Sequence, residues 1–182
     1  MQLMNSEQRY GAAAVLFHWL MACLIILLVG TGLHMVRLPD VGFDTTKIIL
    51  ILTHKQIGVA AFVLACWRWI WRQLNVLPRL ADTVPNWQKV TAFVVHFCFY
   101  ALMVALPITG WIMSSYAGIP VWFLGFTLPD LVLPNEGLFE KLQKLHDWLG
   151  YAMAGLICLH AAAALRHHFV SRDPTLQKML RL

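Results

Sequence analysis

Charge is scarce in this chain. Lys, Arg, Asp and Glu make up 13% of the 182 residues and apolar types 59%, against about 25% and about half in an ordinary soluble domain. That deficit argues against a soluble globular domain and makes a membrane protein the class to test. Cysteine is sparse as well. Cys23, Cys66, Cys98 and Cys158 stand one in each long apolar stretch, with no C-x-x-C pair, so they read as small buried hydrophobes rather than disulfide partners or metal ligands. Internal repeats and low-complexity tracts are missing too. So is a small-residue cleavage motif after the first apolar run, which Glu7 and Arg9 precede; that run is expected to be a retained helix, not a signal peptide.

What is present fits a bilayer. A hydrocarbon core of about 30 Å needs about 20 mostly apolar helical residues, and four stretches meet or approach this, roughly 10–36, 48–71, 90–115 and 145–168. The expected fold is all-α, an integral membrane four-helix bundle forming a single domain over 1–182 with both termini on one side. On that side fall Arg9, Arg68, Arg72, Arg79, Lys89, Arg166, Arg172, Lys178 and Arg181; the other side has Arg37, Lys47, Lys55, Lys141 and Lys144. Nine against five places the termini in the cytoplasm by the positive-inside rule. The net charge of +5 is therefore a topology signal, and nucleic acid is not an expected partner.

The connections carry their own expectations. The first outer loop holds Pro39, Asp40, Gly42 and Asp44. The second helix finishes in WRWIWRQ, where Trp67, Trp69 and Trp71 alternate with Arg68 and Arg72 as a headgroup-level anchor. An inner connection, LPRLADTVPNWQK, contains Pro78 and Pro85. In ALPITGW, Pro107 removes a backbone donor and Gly110 adds permissiveness, so a kink is expected. The longest loop, about 116–141, has Pro120, Pro129 and Pro134 around WFLGF. It is expected to lie on the membrane surface or to cap an outer site.

Histidine is the unexpected ingredient, because polar groups inside a membrane are costly and functional by default. Four of the eight lie in the last apolar stretch and its end, at 146, 160, 167 and 168. His146 and His160 are 14 residues apart, which is about 40° in direction and about 21 Å in height on one helix. They share a face at two depths. His54 matches His146 in depth and His18 matches His160, which gives two facing pairs stacked across the membrane, as axial ligation of a flat macrocycle requires. Four positions after each comes a residue with almost no side chain, namely Ala22, Gly58, Gly150 and Ala164, leaving room for a ring against the helix. The other four histidines are followed at that spacing by Leu38, Tyr100, Ser171 and Arg172.

These features favour haem ligation over isolated interhelical hydrogen-bonding histidines. A closed zinc site needs three or four converging ligands, and the vertical separation splits the set into pairs. The absence of C-x-x-C-H argues against covalent haem attachment. His167, seven residues past His160, either complements the helix C-terminus or serves a quinone pocket beside the inner pair. His168 and His34 are expected at the interfaces, and His96 as a packing residue at inner depth.

The sequence resembles the bacterial di-haem cytochrome b561 family along essentially the whole chain. The resemblance is carried by RYGAAAVLFHW, HKQIG, ALPITGW, KLHDWLGY and LHAAAALRHHFVSRDPTLQKML. It implies a multi-pass protein of the bacterial inner membrane with two haem b groups that exchanges electrons with the quinone pool. By motif, His18 and His160 ligate the inner haem, His54 and His146 the outer haem, and His167 aligns with a position linked to quinone.

The leading expectation is a quinone-linked membrane oxidoreductase. It takes single electrons from a periplasmic donor, superoxide being one candidate, drawn by Lys47, Lys55, Lys141 or Lys144. Two alternatives stay open: a haem-b anchor subunit serving a hydrogenase or dehydrogenase, and a haem-free transporter whose histidines relay protons.

Overall fold

The computed structural model describes residues 2–38, 45–78 and 85–180. Pro39, Asp40, Gly42 and Asp44 of the first outer loop, Arg79 of the inner connection, and Arg181 lie outside the described residues. Four long helices dominate: α1 (Ala12–Met35), α2 (Thr45–Leu74), α3 (Asn86–Tyr116) and α4 (Glu136–Arg166). Each is long and apolar enough to cross a membrane. They form an antiparallel ring in which α1 packs on α2, α2 on α3, α3 on α4 and α4 on α1. Among the described residues few side chains are buried, Met153 and Ala61 being two, whereas Leu16, Ile26 and Phe97 face outward. An inside-poor, outside-apolar bundle of this kind has lipid as its solvent.

The first and last described segments fold onto one end of the bundle, here the terminal end. Asn5 Nδ2 donates to the Val76 carbonyl (3.0 Å) beyond α2, and Asn5 Oδ1 accepts from Gly11 N–H (2.9 Å). Gly11 is required there, because a Cβ would collide with the carbonyls of Leu3 and Met4. From the other terminus, a five-residue π-helical turn (His167–Ser171) leads to α5 (Gln177–Leu180), and Trp19 Nε1 on α1 donates to the Met179 carbonyl at 2.6 Å. Trp67 and Trp69 are exposed near this end while the Trp71 indole nitrogen is buried, so only part of the WRWIWRQ set faces outward.

The opposite end differs from expectation. The α4 helix begins at Glu136, nine residues before the expected 145, because Asn135 Oδ1 caps it by accepting from Leu138 N–H (3.0 Å). What remains of the long loop holds a hairpin, β1 (Val121–Phe123) and β2 (Phe126–Leu128), paired Val121 to Leu128 and Phe123 to Phe126. Leu124 and Gly125 make its two-residue turn with φ of 49° and 85°, the all-positive conformation that a tight hairpin demands. Val121 is buried against α2 while Leu124 and Phe126 point outward. The hairpin thus covers the bundle and exposes an apolar tip. The α3 helix runs unbroken through Pro107.

All four cysteines are free. Cys23 and Cys158 are exposed on the bundle surface rather than buried, a position that lipid makes acceptable for a small apolar side chain.

Candidate functional site

The four helices bring the expected histidines together in two places. Near the terminal end, His18 of α1 faces His160 of α4 with ring centres 6.2 Å apart and planes inclined 53°. Near the hairpin end, His54 of α2 faces His146 of α4 at 6.4 Å and 76°. The i+4 spacing argument also has a structural counterpart. A Cβ built on Gly58 or on Gly150 meets nothing within 4 Å, so open space lies one turn along from His54 and from His146.

The two surroundings are not alike. At the hairpin end, Thr31 Oγ1 of α1 lies 3.1 Å from His54 Nδ1, and Thr109 Oγ1 of α3 lies 3.0 Å from His146 Nδ1. Gly32 and Gly110, which follow the threonines, sit against the imidazole Cε1 atoms; a Cβ there would come to 3.6 Å of His54 and 3.3 Å of His146. The Gly110 contact leaves little room for a larger residue. The sequence marks ALPITGW as a kink signal and as part of the family resemblance, and neither reveals this contact. The repeated Thr-Gly pair, 31–32 and 109–110, was the available clue.

At the terminal end the neighbours are cationic and aromatic. Arg68 Nη2 is 3.5 Å from His18 Nδ1. His96 and Phe99 of α3 approach the His160 ring edge-on, with centres at 5.7 Å and 5.4 Å. His96 therefore stands closer to the pair than its expected packing role required. Tyr10, just before α1, completes this corner; burial raises its phenol pKa although Arg72 and Arg68 pull it down.

His167 opens the π-helical turn and points Nδ1 at Asp173 Oδ2, 2.5 Å away. Both side chains are largely covered, 20% and 15% exposed. The contact depends on the backbone: Arg172 takes a left-handed conformation and Asp173 N–H donates to the His167 carbonyl (3.1 Å), which turns the chain back. Thr175 N–H donates to the other Asp173 oxygen at 2.9 Å. His168 keeps a buried Nδ1 without a partner, so it is not simply an outward interface group. His34 is exposed at the end of α1.

Lys55 follows His54 and donates from Nζ to Ser114 Oγ (2.7 Å), which in turn donates to the Ile119 carbonyl (2.5 Å). A groove of about 530 Å³ lies beyond, between the end of α3 and the start of α4, lined by Tyr116, Pro134 and Phe139. It stands apart from the histidines. Among the described residues, no cluster of three or more His, Cys, Asp or Glu side chains is placed to hold a metal ion.

Such a molecule is a membrane-spanning helical bundle organised around two pairs of facing imidazoles. The family model for prokaryotic cytochrome b561 matches residues 9–182, and the chain belongs to that family. Two relatives from Escherichia coli strain K12 are named cytochrome b561 homolog 2 and homolog 1. The first is 29% identical, covering 99% of this chain and 95% of the relative. The second is also 29% identical, covering 94% and 97%. A protein of Yersinia pestis named probable superoxide oxidase CybB is 27% identical over 96% of this chain and 97% of its own. Family membership makes this a haem b electron-transfer protein of the bacterial inner membrane. A haem-free transporter is thereby set aside.

Proposed function

We propose that the protein holds two haem b groups and carries single electrons from a donor at the hairpin end to membrane quinone at the terminal end. His54 and His146 are the iron ligands of the first, His18 and His160 of the second. The observation that carries this reading is the spacing of the pairs. A ligating imidazole nitrogen sits about 2 Å from a first-row metal, with the ring centre about 1 Å further back. Two imidazoles on opposite faces of one iron thus need ring centres about 6 Å apart, and the pairs stand at 6.2 and 6.4 Å.

When bound, haem would supply one-electron chemistry, and two histidines holding each iron would leave no position for oxygen. The protein's part is to hold, space and insulate. His167 serves the quinone: with Nδ1–H donated to the Asp173 carboxylate, the ring in its doubly protonated form presents Nε2–H to a quinone oxygen and passes it that proton, to be refilled from the cytoplasmic side. The excess of basic residues at the terminal end supports a cytoplasmic location for both termini.

Superoxide is the proposed donor, supported by the printed name of the Yersinia relative. Each superoxide releases one electron and leaves as dioxygen; a quinone takes up two electrons and two protons, so two anions are consumed per quinol. Lys47, Lys55, Lys141 and Lys144 attract the anion against Asp130, Glu136, Glu140 and Asp147 at the same end.

The test is a redox-difference spectrum with haem quantification on the wild type, His54→Ala and His160→Ala. Each variant is expected to lose one of two b-type haems. Two intact haems in both variants overturn the pairing, and a wild type without b-type bands overturns haem binding here. Superoxide-driven haem reduction is expected to weaken with added salt. No reduction by superoxide, together with a stoichiometric dehydrogenase or hydrogenase on purification, would replace this donor with a protein partner.

A further inference from the structure

The hydroxyls beside the hairpin-end histidines carry an inference that rests on the di-haem reading. Thr31 Oγ1 donates to carbonyls one turn back in α1, Leu27 at 2.8 Å and Leu28 at 3.1 Å. Thr109 Oγ1 does the same in α3, to Ala105 at 2.8 Å and Leu106 at 2.9 Å. A hydroxyl has one proton. With that proton committed to its own helix, each threonine offers lone pairs to the imidazole, which favours hydrogen on Nδ1 of His54 and of His146. At His146 the Leu106 carbonyl is a second acceptor beside Thr109. Each ring then presents a bare Nε2 for ligation. The same dipeptide makes the same contact on two different helices; at Gly110 a Cβ would crowd the ring, while at Gly32 it would only touch it.

The terminal-end pair lacks this support. Among the described residues, neither His18 nor His160 donates to a hydroxyl or a carbonyl. Arg68 Nη2 lies 3.5 Å from His18 Nδ1, at the limit of hydrogen-bonding distance. A guanidinium has five donors and no acceptor, so it takes no hydrogen from the ring and acts as a nearby charge. It brings positive charge to the His18 side of the pair.

We infer that Thr31 and Thr109 are positioning residues that set the tautomer of His54 and His146, and that this difference between the two ends gives the hairpin-end haem the lower reduction potential. An imidazole that donates its second N–H is a more basic ligand and favours the more highly charged ferric iron. A cation beside the other pair favours the ferrous form. Both effects make electron flow downhill from the hairpin end to the terminal end.

Spectroelectrochemical titration of the purified full-length protein tests this. In the double variant Thr31→Val with Thr109→Val, the lower midpoint is expected to rise while the upper one stays, and Thr31→Ser with Thr109→Ser is expected to restore the wild-type value. Arg68→Gln is expected to lower the upper midpoint. The midpoint that survives in His54→Ala identifies the terminal-end haem. If the paired valines expel the hairpin-end haem, the single valine variants provide the same reading through a smaller rise. Two bound haems with unmoved midpoints in the valine variants, or a wild type whose hairpin-end haem has the higher potential, overturn the inference. A wild type with fewer than two haems overturns the di-haem reading instead.

Discussion

Asp173 decides what His167 can do. Burial alone would raise its carboxyl pKa, but hydrogen bonds from the Thr175 side chain and backbone, with His167 beside them, outweigh this and hold it below the ordinary carboxylate value. A depressed native value means the contact is complete at neutral pH and is lost as pH falls through that lowered value. Asp173→Asn should therefore slow quinone reduction about ten-fold or more, since a hydrogen bond to a charged group contributes about 1.5–3 kcal/mol. It should also remove the acid limb of the pH profile, and steady-state quinone reduction from pH 4 upward checks both. An unchanged profile would separate His167 from quinone chemistry. His96 makes a contrasting case: its ring hydrogen-bonds the Ala92 backbone one turn back, so His96→Ala should retain both haems in a pyridine haemochrome assay. Loss of one would transfer a ligand role from His18 to His96. The four proposed ligands were readable from depth and spacing alone. Asp173 was not, because six residues is no helical repeat and the contact exists only after the π-helical turn and the left-handed Arg172.

Among the elements, the hairpin-end cover depends on two small polar side chains. Ser115, 1% exposed, donates to the Trp111 carbonyl and accepts from Leu131 N–H (3.1 Å), tying the segment after β2 to α3. Ser115→Ala leaves that amide without its partner at a cost of about 1–3 kcal/mol. Faster amide exchange at Leu131 and a lower melting temperature in detergent should follow. Asn135→Ala should cost about 1 kcal/mol by uncapping α4, read in the same thermal assay. Unchanged melting and exchange in both would show that the cover is held by apolar packing alone. Three prolines over 116–141 point to a loop. The hairpin and the early start of α4 depend on a Leu-Gly turn and an Asn cap, short local signals overshadowed by the three prolines.

For the molecule as a whole, the two ends differ in chemistry, and the proposed electron path runs between them. The terminal end carries Arg68, Arg72 and the His167–Asp173 contact; the hairpin end carries the threonine-supported pair and Lys55. Reporter fusions at residues 2 and 180 should be active only as cytoplasmic forms, and one placed in the 124–125 turn only as a periplasmic form. The reverse pattern would turn the proposed electron path around.

The sequence by itself determined the membrane class, the four spans and the candidate ligands. Each of these follows from a local and repetitive cause, apolar run length against bilayer thickness or a fixed angle and rise along one helix. Only the tertiary structure decided what stands beside each imidazole. The threonine contacts join residues 23 and 37 positions apart, and the arginine contact joins residues 50 apart. No helical period relates such partners. They meet because antiparallel helices pack side by side, and that packing gives one histidine pair an acceptor and the other a cation.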